Sequence, residues 1–172
     1  MQKRAVKIYN KGTNKLPEYK TELSAGFDIR ADLSNVYSLN DLKGNTKVTY
    51  TNITEKTVNV LPHGRVLIPT GLHVAIPDGY ELQIRPRSGS AIDNGITLCN
   101  SVGTLDADYR GELKLIILNT DSDETFDIKH GDRLAQGVLK QVEQAEWEEV
   151  GSIEELGDTD RGQGGFGHSG KK

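Results

Sequence analysis

Residues 103–119 read GTLDADYRGELKLIILN. From Glu112 the stretch alternates polar and apolar through Leu113, Lys114 and Leu115, then runs unbroken through Ile116, Ile117 and Leu118. A strand reads this way when one face lies in a core and the second face becomes covered. Ahead of it, Asp106, Asp108, Arg110 and Gly111 break the apolar pattern, as a solvated hairpin turn would. Reading outward in both directions repeats the strand pattern in VKIYN (6–10), VNVLP (58–62), RVLIPTGLHVAIP (65–77), YELQIRP (80–86), ITLCN (96–100), TFDI (125–128) and RLAQGVLKQV (133–142). These runs are short, rich in β-branched residues and punctuated by Gly, Pro, Asn and Asp. No segment carries a long amphipathic helix. SGSAIDNG (88–95) fits one helical turn, and SIEELGD (152–158) fits another or a loop. Many short strands without helices define an all-β chain: a sandwich, a jelly roll or a barrel.

Composition narrows the function classes. The 172 residues suit one domain with its own core. A net charge of -4 argues against a general nucleic-acid binder. Cys99 is the single cysteine, and His63, His73, His130 and His168 show no metal-ligand spacing, so neither a disulfide framework nor a zinc site is expected. The opening MQKRAVKIYNKG has no apolar signal segment, and no run approaches the roughly 18 apolar residues of a membrane span. The expected location is the cytoplasm, with no membrane partner.

Two stretches differ from the rest. Residues 34–58, SNVYSLNDLKGNTKVTYTNITEKTV, are polar with little core character and read as a surface insert. After Trp147 the chain turns acidic and then glycine-rich, ending RGQGGFGHSGKK. From Gly165 this tail approaches the phosphate-binding pattern G-x-x-x-x-G-K-[ST]. Lys172 stands where the hydroxyl belongs and no helix follows, so that motif is rejected. Composition alone allows a disordered end. The expected division is a folded domain over residues 1–150 and a flexible arm over 151–172.

Three further strings carry candidate chemistry. In AGFDIRA (25–31), Asp28 lies in an apolar strand and needs a partner, most simply an arginine. In RPRSGSA (85–91), a guanidinium, a hydroxyl and exposed backbone N–H groups suit phosphate oxygens. In GTLDADYRGELKL, a carboxylate fixed at the end of a strand can orient a water or take its proton. Each string is also compatible with an ordinary polar turn.

AGFDIRA, RPRSGSA, GTLDADYRGELKL, GDRLAQGVL (131–139) and RGQGGFGHSG (161–170), in this order, resemble the five motifs of the homotrimeric dUTP pyrophosphatases, the dUTPases. The long polar insert makes the chain most like those of staphylococcal phages. The resemblance implies a dUTPase-type β-jelly roll (β-clip-like) with a mobile C-terminal arm. It implies a Mg2+-dependent hydrolase that converts dUTP to dUMP and pyrophosphate, keeping uracil out of DNA and supplying dUMP for thymidylate synthesis. Phage origin would place it in the host-cell cytoplasm.

The resemblance also implies residue roles. Asp106 would orient and deprotonate the attacking water and bond the 3′-hydroxyl. Tyr109 would lie beneath the deoxyribose and exclude a 2′-hydroxyl. The hairpin with Asn100, Thr104 and Leu105 would read uracil through its backbone, with Lys114 on the strand returning beside it. Arg87, Ser88, Gly89 and Gln136 would face the phosphates, and Asp28 would hold a water of the Mg2+ shell. In the arm, Arg161 would grip the γ-phosphate, Phe166 would stack on uracil, and Gly167, His168 and Ser169 would complete the closure. Sites would form between subunits.

Two rivals differ in class. A dCTP deaminase on this fold needs a glutamate where this chain has Ile116, which cannot transfer protons. A protein-binding module with residual nucleotide binding is the second. Some staphylococcal phage dUTPases bind the repressor of mobile pathogenicity islands in addition to catalysis. The insert is the candidate surface for such a partner, with a neutral loop as its alternative.

Overall fold

The computed structural model describes residues 3–35 and 57–165. The chain divides into two compact units, 1–142 and 143–172.

In the first unit the expected strands, with Gly103–Leu105 as one the sequence did not show, form antiparallel ladders. They are β1 (Lys7–Asn10), β2 (Phe27–Arg30), β3 (Thr57–Val60), β4 (Arg65–Pro69), β5 (Leu72–Ala75), β6 (Tyr80–Pro86), β7 (Ile96–Leu98), β8 (Gly103–Leu105), β9 (Lys114–Asn119), β10 (Phe126–Lys129) and β11 (Arg133–Gln141). A four-stranded sheet runs β2-β11-β6-β8 and a three-stranded sheet runs β4-β9-β7, while β1 pairs with β5 and β3 with β10. Side chains from these sheets close on one core, including Ile29, Val60, Ile68, Ile84, Leu115 and Ile117. On β9, Leu115, Ile117 and Asn119 are buried while Ile116 and Leu118 are half-buried, so the apolar run does have its second face partly covered. The fully buried Asn119 donates from Nδ2 to Val60 O at 2.9 Å and Glu124 O at 2.8 Å, tying the β9–β10 turn to β3. A buried amide needs such partners.

The helical turn expected after Arg87 is α1 (Ser88–Asn94). It ends at Gly95, whose φ of 62° is the left-handed conformation that terminates helices.

Two expectations change. The connections carrying Asn100 and Asp106 are not hairpins. β7 registers on β9 and β8 on β6, so residues 99–102 pass from one sheet to the other. Residues 106–113 then cross back, because β9 pairs with β4 and β7. The insert also ends earlier than residue 58: Thr57 and Val58 belong to β3, opposite Lys129 and Ile128, and Val58 is buried. Residues 36–56 lie outside the described residues.

The first unit closes at Val142, whose N–H donates to Gly79 O, one step beyond the last β11–β6 pair, Gln141 with Tyr80. In the second unit a 3-10 turn spans Ile153–Leu156, and Trp147, Ile153 and Leu156 are exposed. Arg161 donates from Nε to Gly164 O at 2.7 Å, closing a turn.

Candidate active site

The residues proposed for phosphate lie on the four-stranded sheet. Asp28 on β2 faces Gln136 on β11, and Gln136 faces Arg85 on β6. Arg87 follows β6 directly and Ser88 and Gly89 open α1, so this sheet positions all of them.

Asp28 is buried and receives the partner its setting requires, twice over. Arg87 Nε donates to Oδ1 at 3.2 Å and Arg133 Nη1 donates to Oδ2 at 3.1 Å. Burial pushes the carboxyl up, but the Arg133 bond, the charges of Arg87 and Arg133 and a bond from Gln136 outweigh it and hold Asp28 below its ordinary value. Arg87 also donates from Nη1 to Arg133 O at 3.1 Å. Arg133 was not among the expected site residues. Its signal was the unpaired Asp28, but only the adjacency of β2 and β11 names it.

Asp28→Asn is expected to destabilise the fold by about 1.5–3 kcal/mol, since one of the two arginine bonds loses its acceptor and the other loses the carboxylate charge. The sign follows from the depressed carboxyl. Its stabilisation is present above the unfolded value near 3.8 and is lost as pH falls through the lower folded value. Denaturant midpoints at pH 7 and in the range below 4 check this: the variant's deficit should shrink on acidification.

The nucleoside-side residues lie on and around β8. Thr104 and Leu105 pair with Gln83 and Leu82. Asn100 is exposed in the preceding link. Asp106 follows β8 with its carboxylate exposed, and its carbonyl accepts Tyr109 N–H at 3.2 Å. The crossover is braced along its length. Tyr109 Oη donates to Glu112 O at 3.1 Å, and Arg110 Nη1 donates to Ala107 O at 2.5 Å. Glu112 Oε1 accepts Gly71 N–H at 2.9 Å, and Glu112 Oε2 lies 3.6 Å from Lys114 Nζ. Leu113 exchanges bonds with the β4–β5 turn, its N–H to Leu72 O at 2.8 Å and its O from Thr70 Oγ1 at 2.6 Å. Lys114 is thus paired with Glu112, a residue the sequence did not single out.

Two cavities border the Asp28, Arg87 and Arg133 cluster. One, of about 580 Å3, is lined by Arg87, Thr125, Phe126, Asp127, Lys129, Asp132 and Arg133. The other, of about 320 Å3, includes Thr13, Lys15, Asp28, Arg30 and Thr70. Neither is lined by Asn100, Thr104, Asp106 or Tyr109, nor by Ser88, Gly89 or Gln136. Arg161 belongs to the second unit, and Phe166, Gly167, His168 and Ser169 lie outside the described residues.

Among the described residues no cluster of three or more His, Cys, Asp and Glu side chains is placed to hold a metal, and none of the helices is long and apolar enough to cross a membrane.

Comparison with known proteins agrees with this architecture. Residues 53–170 match the dUTPase family model. The chain is 46% identical over 171 residues to a deoxyuridine 5′-triphosphate nucleotidohydrolase of Fusobacterium nucleatum, covering 99% of this chain and 100% of the relative. It is 46% identical over 165 residues to that of Finegoldia magna, covering 96% and 98%. In fold it is similar to the dUTPase of Staphylococcus bacteriophage 80alpha solved with dUPNHPP, with a TM-score of 0.76 at 22% identity over 98% of this chain and 99% of that one. It is also similar to the dUTPase of phage phi11 of S. aureus, described with a structural Mg(II) ion, at a TM-score of 0.68 and 21% identity over 88% and 99%. The molecule is therefore a nucleotide hydrolase built on a β-jelly roll. The chain belongs to the dUTPase family, and its activity is that of a dUTP nucleotidohydrolase.

Proposed function

We propose that this chain hydrolyses dUTP by in-line attack of a water on the α-phosphate, at sites shared between the chains of a homotrimer. The observation that carries this reading is the separation of the two groups. Asp106, Tyr109 and Asn100 occupy sheet-crossing loops at the β8 edge of the four-stranded sheet, whereas Asp28 meets Arg87 and Arg133 at its β2 edge. A second chain supplies the missing half of each site.

In this reading Asp106 takes the proton of the water, and its exposed position leaves it free to do so. Arg87, Ser88, Gly89 and Gln136 hold the phosphates of the leaving pyrophosphate. Tyr109 forms the floor under the deoxyribose. The backbone near Asn100, Thr104 and Leu105 pairs with uracil, with Lys114 beside it. Cytosine would leave those backbone groups unpaired, which is costly in a closed site. The arm beyond residue 150 brings Arg161 to the γ-phosphate and Phe166 over the base, with Gly167, His168 and Ser169 closing the site. It orders only when nucleotide contacts exceed its entropy cost.

Mg2+ fits this chain as an ion carried on the triphosphate. Asp28 spends one acceptor position of each oxygen on an arginine, which leaves positions for a metal-bound water but makes no protein cage. When bound, the ion neutralises phosphate charge. The cytoplasmic nucleotide pool is the setting in which this activity lowers dUTP and yields dUMP.

The experiment is pyrophosphate release from dUTP, dTTP, dCTP and UTP, with Mg2+ and with chelator. Fast release from dUTP alone, lost on chelation, is expected. Comparable turnover of dTTP would sink the specificity reading.

A repressor-type protein partner is a second role, resting on the insert. The insert's two roots meet at one turn: Leu33 N–H donates to His130 Nδ1 at 3.0 Å, and Thr57 pairs with Lys129. A short Gly/Ser linker in place of residues 36–56 should therefore keep the trimer and most dUTPase activity while weakening partner binding. Calorimetry with the repressor checks it, and undiminished binding places the interface elsewhere.

A further inference from the structure

Gly111 sits in the crossover between Asp106 and Leu113, and its backbone does not require glycine. It is not among the glycines with positive φ, so an alanine fits its main chain. What excludes a side chain is one neighbour. A methyl group built at Gly111 would lie 2.9 Å from Cε2 of the Tyr109 ring and closer still to Cζ and Oη. These are the three nearest atoms beyond its chain neighbours, and all belong to Tyr109. The ring thus rests directly on the bare Cα of Gly111. Its hydroxyl is tied to Glu112 O, and Glu112 and Leu113 are tied in turn to the β4–β5 turn. Tyr109 is 43% exposed, so a ring seated on Gly111 keeps an open side.

We infer that Gly111 is a positioning residue for sugar selectivity: its missing side chain sets the height of the Tyr109 ring, and with it the depth of the space left for the nucleotide's sugar. The inference rests on Tyr109 being the sugar floor. A side chain at 111 would push the ring toward its open side, break the Tyr109–Glu112 bond and fill the volume a deoxyribose needs. The buried bonds of Leu113 and Thr70 do not involve the ring, so the fold should survive the change.

The test is a double-mutant cycle of Gly111→Ala and Tyr109→Ala, read as kcat and KM for dUTP and UTP and as Tm. Tyr109→Ala alone should lower the dUTP-over-UTP ratio of kcat/KM. Gly111→Ala should lower kcat/KM for dUTP by about tenfold or more through KM, with Tm lowered by no more than about a few degrees, as expected for an exposed ring forced off its seat. In the Tyr109→Ala background, Gly111→Ala should move KM by less than about twofold, because nothing remains to displace. Equal losses in both backgrounds, or an unchanged KM in the presence of the ring, overturn the inference while leaving the floor reading intact. An unchanged dUTP-over-UTP ratio in Tyr109→Ala overturns both. A Gly111→Ala chain that does not fold also overturns the selectivity role, since the glycine would then serve folding.

Discussion

Asp106→Asn is expected to slow pyrophosphate release from dUTP by roughly 10²–10⁴-fold, the usual worth of a general base, while nucleotide affinity stays within a few-fold. Asp106 stands one residue beyond the last β8–β6 pair, Leu105 with Leu82, so its backbone is fixed by the sheet. On its far side, Tyr109 N–H closes a turn on its carbonyl. The carboxylate itself is exposed and carries none of the hydrogen bonds that brace the crossover, so an isosteric amide leaves folding untouched. Unchanged Tm with collapsed kcat therefore separates chemistry from stability. Turnover at the wild-type rate would move the role to another carboxylate, with Asp108 the nearest alternative.

Deleting residues 161–172 is expected to lower kcat/KM for dUTP by about 10²-fold or more while leaving a folded trimer. In the proposed reading the removed segment supplies a charge-assisted phosphate contact from Arg161 and a base stack from Phe166, the latter worth about 1–3 kcal/mol by itself. If the arm closes the site as proposed, its loss also admits water to the reacting phosphate. The last strand of the first unit ends at Gln141 and its core is drawn from residues before Val142. Sedimentation and Tm should match the full chain. Dissociation to monomers or aggregation would make the arm a structural element.

The strands were legible because alternation at period two survives in short runs such as YELQIRP and RVLIP, and Gly, Pro and Asn mark their ends. The need of Asp28 for a cationic partner was legible too, since a carboxylate in an apolar strand has few alternatives. Which cation meets it was not. Arg133 is distant in sequence and arrives through strand order, and periodicity carries no record of which strands pair. The same limit made the Asp106 connection look like a hairpin, since a turn signal is identical whether the next strand joins the same sheet or another, while the Asn100 hairpin came from the family resemblance alone. Val58 was placed both at the end of the insert and at the start of the VNVLP strand, because polar Thr57 and Asn59 flank it and blur where a four-residue strand begins. Gly111 reads as an ordinary turn glycine, and only the position of the Tyr109 ring shows what its bare Cα is for.

The central claim is a dUTP-hydrolysing site divided between chains, with Asp106 from one and the Ser88 and Gln136 side from another. Pyrophosphate release from mixed trimers tests it most directly. Asp106→Asn chains and Ser88→Ala/Gln136→Ala chains, each inactive alone, are dissociated together, reassembled at equal amounts and assayed with dUTP and Mg2+. Random assembly leaves about a quarter of the sites with both halves intact, so activity should return to about that fraction of wild type. Mixed trimers as inactive as their parents would show that each chain builds its own site and would contradict the account.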